Sequence, residues 1–431
     1  MNRKVLVLDL THGGEVLARE FASIGDSVTA VDIYHTATAE KKGDLTAVGV
    51  RVLDEAPAER FDLGVVPVHC PDRFVGQAAL SRRITAHQAV GELAAFDRPV
   101  VEFTGVRGKT SACHVLAHVL DRDGRRVLLH TSRGRYLLDG EERRMLMDKA
   151  SIAPPSVLSI SKEHPQFDIG VFEVSLGGTG LADISVITGL SDNYAIAGGT
   201  RKAFDGKVQM ASTAKVLVCP EAEAKLWAPH VPQGSRIVTF GPGGDLDISI
   251  PEELKLGNKA PLTVRWKEQY LEVRLPGTFL APSYATAIAA GLAAAGAMGL
   301  DMKRTVSSLS SFKGVPGRGD VTREGGRFLI RERNPGVSAG SIDWNIGVLE
   351  RFYAQDDIGI ALDPVNVKVC EKLDIRDVHD VLSRHPSVKG QYIINMPGLG
   401  REASGYLRID GPMDVRGRHQ VLVHCIKEGY L

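Results

Sequence analysis

The chain has 431 residues with 52 basic and 52 acidic side chains, enough length for about three domains of ordinary size and no net field to draw in nucleic acid or an anionic membrane. Its five cysteines (Cys70, Cys113, Cys219, Cys370 and Cys425) stand singly, without zinc-site spacing or disulfide density, and read as reduced thiols in a cytoplasm. The apolar run near the start is broken by Asp9 and argues against a signal peptide, and the Ala-rich stretch 285–300 is below membrane-spanning length and reads as a buried helix.

In chain order, a buried strand over 5–8, the tight loop Thr11-His12-Gly13-Gly14, a helix over 15–21 and a strand over 28–31 predict a β-α-β unit of Rossmann type. Its two adjacent glycines differ from the spaced set of a dinucleotide fingerprint, which argues against a nicotinamide cofactor, although Asp32 stands where a ribose-binding acid would. A strand over 63–68 runs into His69-Cys70-Pro71, and a helix over 84–95 closes a first domain of residues 1–98.

A second run begins with an apolar strand at 100–103, then Thr104-Gly105-Val106-Arg107-Gly108-Lys109-Thr110-Ser111, then a helix to residue 120. Glycines at this strand-to-helix junction let backbone N–H groups turn toward an anion, and the helix N-terminus adds partial positive charge. Lys109 can reach terminal phosphates and Thr110 can offer its hydroxyl to magnesium. The loop has two residues between its glycines where the general phosphate-loop pattern has four. A Gly-rich turn with an incidental Lys-Thr is the plainer alternative.

Strands over 127–129, 169–174, 184–187, 216–218 and 237–240 predict a mostly parallel sheet, with antiparallel strands over 262–275 at its edge. The Ala-rich helix follows, and Gly314-Val315-Pro316-Gly317 marks a boundary. The central domain is thus 99–313. A smaller α/β domain, 314–431, has strands over 327–330, 357–361, 391–394 and 420–424.

Glu173 ends a buried strand, where open α/β sheets bind ligands, and a carboxylate there suits magnesium. The next strand ends before Ser191-Asp192-Asn193-Tyr194. The ordered motifs T-G-x-x-G-K-T, E-x-S and a strand followed by Asp plus a polar residue resemble those of the Mur ligase family of ATP-dependent ligases. The resemblance spans the central domain and, more weakly, both flanks. It implies a three-domain α/β fold: a Rossmann-like N-terminal domain, a central P-loop ATPase domain and a smaller C-terminal Rossmann-like domain.

Carried over residue by residue, the resemblance implies ATP bound by Gly105, Val106, Arg107, Gly108, Lys109, Thr110 and Ser111, and magnesium held by Thr110 and Glu173. Asn193 falls where the family has a metal-binding His. Lys207 falls on the position of a carbamylated lysine, with an exposed helical lysine as the alternative. Arg318 takes the place of an arginine that reaches the nucleotide phosphates from the third domain. Asn334-Pro335 is what remains of a nucleotide-binding pattern. Lys109, Glu173, Lys207 and Arg318 are therefore the expected catalytic residues. The loop before the Ala-rich helix lacks the His-Asn pair that often binds adenine.

The flanks depart from peptidoglycan ligases in the Thr11–Gly14 loop, the short first domain, Asp192-Asn193 and the Arg331-Glu332-Arg333 segment. These departures resemble an archaeal branch of the family that activates a propionate of a nickel tetrapyrrole so that a carbon nucleophile closes a ring. Substrate contacts would then be Thr11, His12, Gly13, Gly14, His69, Arg331 and Arg333, with Arg401 a further basic candidate. For each histidine a hydrogen-bonded loop role is the alternative. The expected partner is this small molecule, with no nucleic acid or membrane partner and a monomer or homodimer as the assembly. An amide-forming ligase with the same ATP site, and a nucleotide-dependent switch, stand as competing readings.

Overall fold

In the computed structural model, residues 2–140, 142–163, 166–190, 193–334, 336–364, 373–395 and 399–427 are described. They fall into two compact units, one of residues 1–246 with 289–302 and one of 247–288 with 303–431.

The first unit opens with β1 (Lys4–Leu8), α1 (Gly14–Ser23), β2 (Ser27–Val31), α2 (Ala39–Ala47), β3 (Arg51–Leu53), β4 (Arg60–Val65), β5 (Ala79–Ile84) and α3 (Ala86–Leu93). The five strands are parallel in the order β3-β2-β1-β4-β5. Val5, Leu6, Val7 and Leu8 are all buried, as both faces of a parallel sheet are covered by crossover helices. Connections leave β1 and β4 toward opposite edges, so the carboxyl ends of these two neighbours bracket the topological switch point, where doubly wound sheets bind ligands.

One element corrects the sequence reading. Residue 84 ends β5 instead of opening a helix, and α3 starts only after Thr85, whose side chain and Gln88 form a reciprocal capping box. β5 is an edge strand with Arg82 and Arg83 exposed, so it lacks the apolar alternation that announces a strand.

The unit continues with β6 (Val100–Thr104), α4 (Lys109–Arg122), β7 (Val127–Thr131), β8 (Gly134–Asp139), β9 (Glu142–Asp148), α5 (Pro155–Glu163), β10 (Ile169–Glu173), β11 (Ile184–Ile187), β12 (Ala195–Ile196), β13 (Arg201–Lys202), α6 (Ala203–Thr213), β14 (Val216–Pro220), α7 (Ala224–Trp227) and β15 (Arg236–Phe240). From β15 the sheet order is β15-β14-β11-β6-β10-β7-β8-β9, parallel as far as β7 and antiparallel beyond. β6 and β10, fully buried and adjacent, deliver the phosphate-loop segment and Glu173 to the same sheet edge. The Ala-rich helix is Ala285–Ala297. Its Gly291 lies where a Cβ would sit 2.8 Å from Val115 Cγ1 of α4, so helix and helix approach closely.

In the second unit, Ala260–Trp266 and Gln269–Leu275 form an antiparallel pair. A separate sheet has the order Arg318–Glu324, Arg327–Asn334, Val421–Lys427, Ile358–Asp363, Val388–Ile394, Leu407–Ile409, antiparallel in its first pair and parallel in the rest. Ile330, Ile346, Leu349, Ile360 and Val423 make its core. Cys70, Cys113, Cys219 and Cys425 are buried free thiols, while Cys370 lies outside the described residues. Among the described residues, no helix is long and apolar enough to cross a membrane.

Candidate active site

Gly105 leaves β6 with φ +143°, and a Cβ there would lie 2.0 Å from Thr188 Oγ1, so the loop crosses the end of β11 where no side chain fits. That crossing is pinned by polar contacts. Val106 N–H donates to Gly189 O at 3.0 Å, and the Thr188 hydroxyl donates to Arg107 O at 2.5 Å. Gly108, at φ +81°, is the N-cap of α4. The Lys109 ammonium folds back to Gly105 O at 3.1 Å. Strand, left-handed glycine and helix N-terminus together make a cradle whose geometry suits an anion.

At the head of α4, Thr110 Oγ1 donates to Glu173 Oε2 at 2.9 Å, and the same carboxylate oxygen accepts the Ser132 N–H at 3.1 Å. Ser132 Oγ lies 3.3 Å from Thr110 Oγ1. Both Thr110 and Glu173 are buried, which removes the reading of Glu173 as a surface acid. The cluster offers hydroxyl and carboxylate oxygens, the donor set of a hard cation. Ser132 was not legible in the sequence, because it follows β7 and nothing local ties it to Glu173.

Lys207 in α6 is fully buried, so the exposed-lysine alternative fails. Its Nζ lies 3.3 Å from Ala203 O and 5.9 Å from the centre of the Tyr194 ring. Burial, with the charge of Lys109 nearby, brings its amine down to about 7. The Asn193 Oδ1 accepts the Phe204 N–H at 2.9 Å, at the start of α6. Asp192 lies outside the described residues.

His87, buried in α3, lies between this region and the first sheet. Its Nε2 is 2.8 Å from Ser175 O, two residues past Glu173. Burial lowers its pKa to about 4, with the charges of His69 and Lys207 acting in the same direction. It is therefore a neutral donor near neutral pH. β6 carries a further buried carboxyl, Glu102, which accepts from the Thr179 N–H at 2.8 Å and from the Thr179 hydroxyl and is pushed up by burial.

The predicted first-domain residues come together at the switch point. Asp9 Oδ2 lies 2.7 Å from His12 Nδ1 and 2.7 Å from His69 Nε2. Burial opposes ionisation of Asp9, but the hydrogen bonds to both histidines outweigh it and hold the carboxyl below the usual range. Thr11 bonds through its hydroxyl to that of Thr36 at 2.5 Å. Gly13 and Gly14 have packing reasons. A Cβ on Gly14 would lie 2.2 Å from Asp9 O, and one on Gly13, at φ +91°, would lie 2.9 Å from Pro155 Cβ. Asp9, which the sequence reading treated only as a break in an apolar run, is the residue that unites the two histidines.

In the second unit, Arg318 pairs in register with Glu332 across the antiparallel strands. Glu332 Oε2 accepts from Asn334 Nδ2 at 3.1 Å. Burial raises its carboxyl to about 7, against the opposing pull of Arg318. Arg331 and Arg333 are exposed, and Arg331 lies 3.6 Å from Asp320. Pro335 and the side chain of Arg401 lie outside the described residues.

No family model matches the chain. Coenzyme F(430) synthetase from Methanosarcina acetivorans is 33% identical over 374 residues, covering 78% of this chain and 77% of the relative. Coenzyme F(430) synthetase from Methanocaldococcus jannaschii is 24% identical over 426 residues, 94% of this chain and 93% of the relative. Among solved structures, the MurF ligase of Thermotoga maritima in complex with ADP matches with a TM-score of 0.59 at 18% identity, over 93% of this chain and 91% of that one. The fold is that of the Mur ligases, and the chain belongs to that family, in the branch of the coenzyme F(430) synthetases.

Proposed function

We propose that the chain is an ATP-dependent ligase that activates a substrate carboxylate as an acyl phosphate and, like its named relatives, makes coenzyme F(430), closing the carbocyclic ring of a nickel seco-tetrapyrrole. The observation that carries the ATP reading is the Thr110–Glu173–Ser132 cluster beside the glycine cradle. In this reading the residues form three domains, 1–98, 99–313 and 314–431.

The backbone N–H groups from Arg107 to Ser111 and the Lys109 ammonium bind the phosphates, while Gly105 and Val106, whose N–H is held by Gly189 O, shape the loop around them. Thr110 and Glu173 hold magnesium, which when bound neutralises charge so that carboxylate and triphosphate can meet. Asn193 and a carbamylated Lys207 are the candidates for a second ion. The Lys207 amine does not itself fit a cation. Its depressed pKa leaves a neutral fraction able to add carbon dioxide, which would turn it into an anionic oxygen donor. Arg318 and Asn334 are assigned to the nucleotide on the family resemblance. Thr11, His12, Gly13, Gly14, His69, Arg331 and Arg333 are the candidates for substrate contact.

In the first step a carboxylate oxygen attacks the terminal phosphorus and ADP leaves. In the second a carbon nucleophile loses a proton, its electron pair forms the new bond to the acyl carbon, and phosphate departs. The protein contributes position and charge neutralisation.

The test is phosphate release from ATP and magnesium with the seco-acid precursor as the sole carboxylate and no added amine. Release coupled to loss of one water in the product mass supports ring closure. Release only with an amino acid present returns the chain to amide-forming ligases.

A further inference from the structure

The first-domain switch point holds a second cluster with ligand geometry. Asp9 follows β1, His12 sits in the loop to α1, and His69 lies just beyond β4. One carboxylate oxygen and two imidazole nitrogens converge there, all within 4.8 Å of one another.

The backbone is built to aim Asp9. Its φ is +73°, a conformation that a non-glycine residue rarely holds without support from its surroundings. That support is visible: the Asp9 N–H donates to Val31 O at 3.0 Å, its carbonyl accepts from Gly14 N–H at 3.1 Å, and only glycine at 14 leaves room for that carbonyl. The second carboxylate oxygen, Oδ1, is held by the N–H groups of Thr11 at 2.9 Å and His12 at 3.2 Å. Oδ2 is thereby directed at the histidines. Tyr34 stands edge-on to His12, and the two imidazoles lie 4.7 Å apart, which fixes their planes. Backbone amides on the ligating carboxylate and an aromatic wall on a ligating ring are the kind of outer support that metal sites use.

We propose that Asp9, His12 and His69 form a binding site for a divalent transition-metal ion, distinct from the magnesium position at the phosphate loop. Two imidazoles and one carboxylate suit zinc, cobalt or nickel better than magnesium or calcium, which prefer oxygen alone. Ligand atoms around a common ion lie about 3 Å apart, so each imidazole nitrogen needs to move only slightly from its 2.7 Å hydrogen bond to Asp9 Oδ2, with the two nitrogens already within 4.8 Å of each other. The Asp9 side chain is sealed, whereas those of His12 and His69 are 40% and 24% exposed. Three protein ligands with an accessible side leave room for water or an anionic oxygen donor in the remaining positions, as in open rather than structural sites.

The test uses the tag-free full chain stripped of metal by chelation. Cobalt(II) is titrated while visible absorption is followed, and zinc binding is measured by calorimetry. The expected result is one equivalent bound, with visible bands of a nitrogen and oxygen donor set and no thiolate charge transfer. His12→Ala and His69→Ala should each weaken binding by at least about tenfold. His69→Gln, which keeps a polar side chain, gives the same answer if the smaller residue disturbs the loop, and unfolding midpoints check that the variants are folded. Absence of saturable binding, binding unchanged in folded histidine variants, or a thiolate spectrum that points to Cys70 would each overturn the proposal and leave the triad as a brace for the loop. The readout does not involve ATP, so it stands or falls separately from the ligase reading.

Discussion

The hydroxyl of Thr110 reaches the carboxylate of Glu173 at 2.9 Å across 63 residues of chain. It does so because β6 and β10 are neighbours in register and end together. The loop after β6 becomes α4, so its second residue faces the carboxylate that closes β10. This relationship connects sheet topology to the chemistry proposed for the site.

Glu173→Gln keeps the size of the side chain and removes its charge. The amide is a poor magnesium ligand, and the one oxygen it can turn toward Thr110 and Ser132 is a neutral, weaker acceptor than the carboxylate Oε2 that both now share. The magnesium concentration for half-maximal turnover should rise by roughly 10- to 100-fold, with a stability loss of about 1–3 kcal/mol from the disturbed buried hydrogen bonds. A magnesium titration of phosphate release checks the first and denaturant unfolding the second. An unchanged magnesium requirement would remove Glu173 from the metal site.

The two loop glycines should behave differently. At Gly105 a methyl would meet the Thr188 hydroxyl, whereas at Gly108 nothing lies within 4 Å. Gly108→Ala therefore suffers only the left-handed backbone penalty, about 1–2 kcal/mol. Gly105→Ala must also displace Thr188 and with it the bond that holds Arg107 O. It should lower the unfolding midpoint further and weaken ATP more than Gly108→Ala, as measured by unfolding with and without nucleotide. Equal losses in both variants would mean that the crossing at Thr188 does not shape the cradle.

The strand, glycine loop and helix around Lys109 are legible in the sequence because their signals are local: an apolar run, two glycines, Lys-Thr and a helical pattern. The hairpin of β8 and β9 had a local signal too, the pair Asp139-Gly140, with Gly140 at φ +68°. The sequence reading passed over it. Other features depend on distant parts of the chain. Lys207 is singled out by the resemblance to the family's lysine segment, but its burial comes from tertiary packing that no helix pattern reveals. Asp9 and His69 are 60 residues apart and meet only because β1 and β4 are adjacent. Arg331-Glu332-Arg333 reads as a basic segment. In a strand, successive side chains point to opposite faces, so both arginines are exposed while the Glu332 carboxyl turns inward.

Carbamylation of Lys207 has a direct spectroscopic test. The neutral amine is the form that adds carbon dioxide, and burial with repulsion from Lys109 makes it available near neutral pH. The intact chain equilibrated with 13C-bicarbonate should show a carbamate carbonyl resonance that Lys207→Ala lacks. Turnover of the variant should fall and recover in part with a short added carboxylate that fills the vacated space. Absence of the resonance from the active protein would leave Lys207 as a buried amine with a packing role.

Glu332 makes stability depend on pH. Its folded pKa of about 7 lies above the ordinary glutamate value of 4.5 because burial outweighs Arg318 and the hydrogen bonds from Asn334 and Asn345. Between those values the folded state binds the proton and the unfolded state does not, so the contribution is fully present below pH 4.5 and is lost as pH rises through 7. His87 acts in the opposite sense. Its folded pKa of about 4 lies below 6.5, so its contribution is lost as pH falls through that window. The unmodified chain alone therefore shows only the sum, and the informative quantity is its difference from Glu332→Gln, which keeps an acceptor for Asn334 and cannot ionise. From pH 5 to 7.5 the unmodified chain should lose stability relative to the variant, on the order of 2 kcal/mol, read from guanidinium unfolding at both pH values. Parallel pH dependence in the two proteins would mean that Glu332 is ionised in the fold throughout, paired with Arg318.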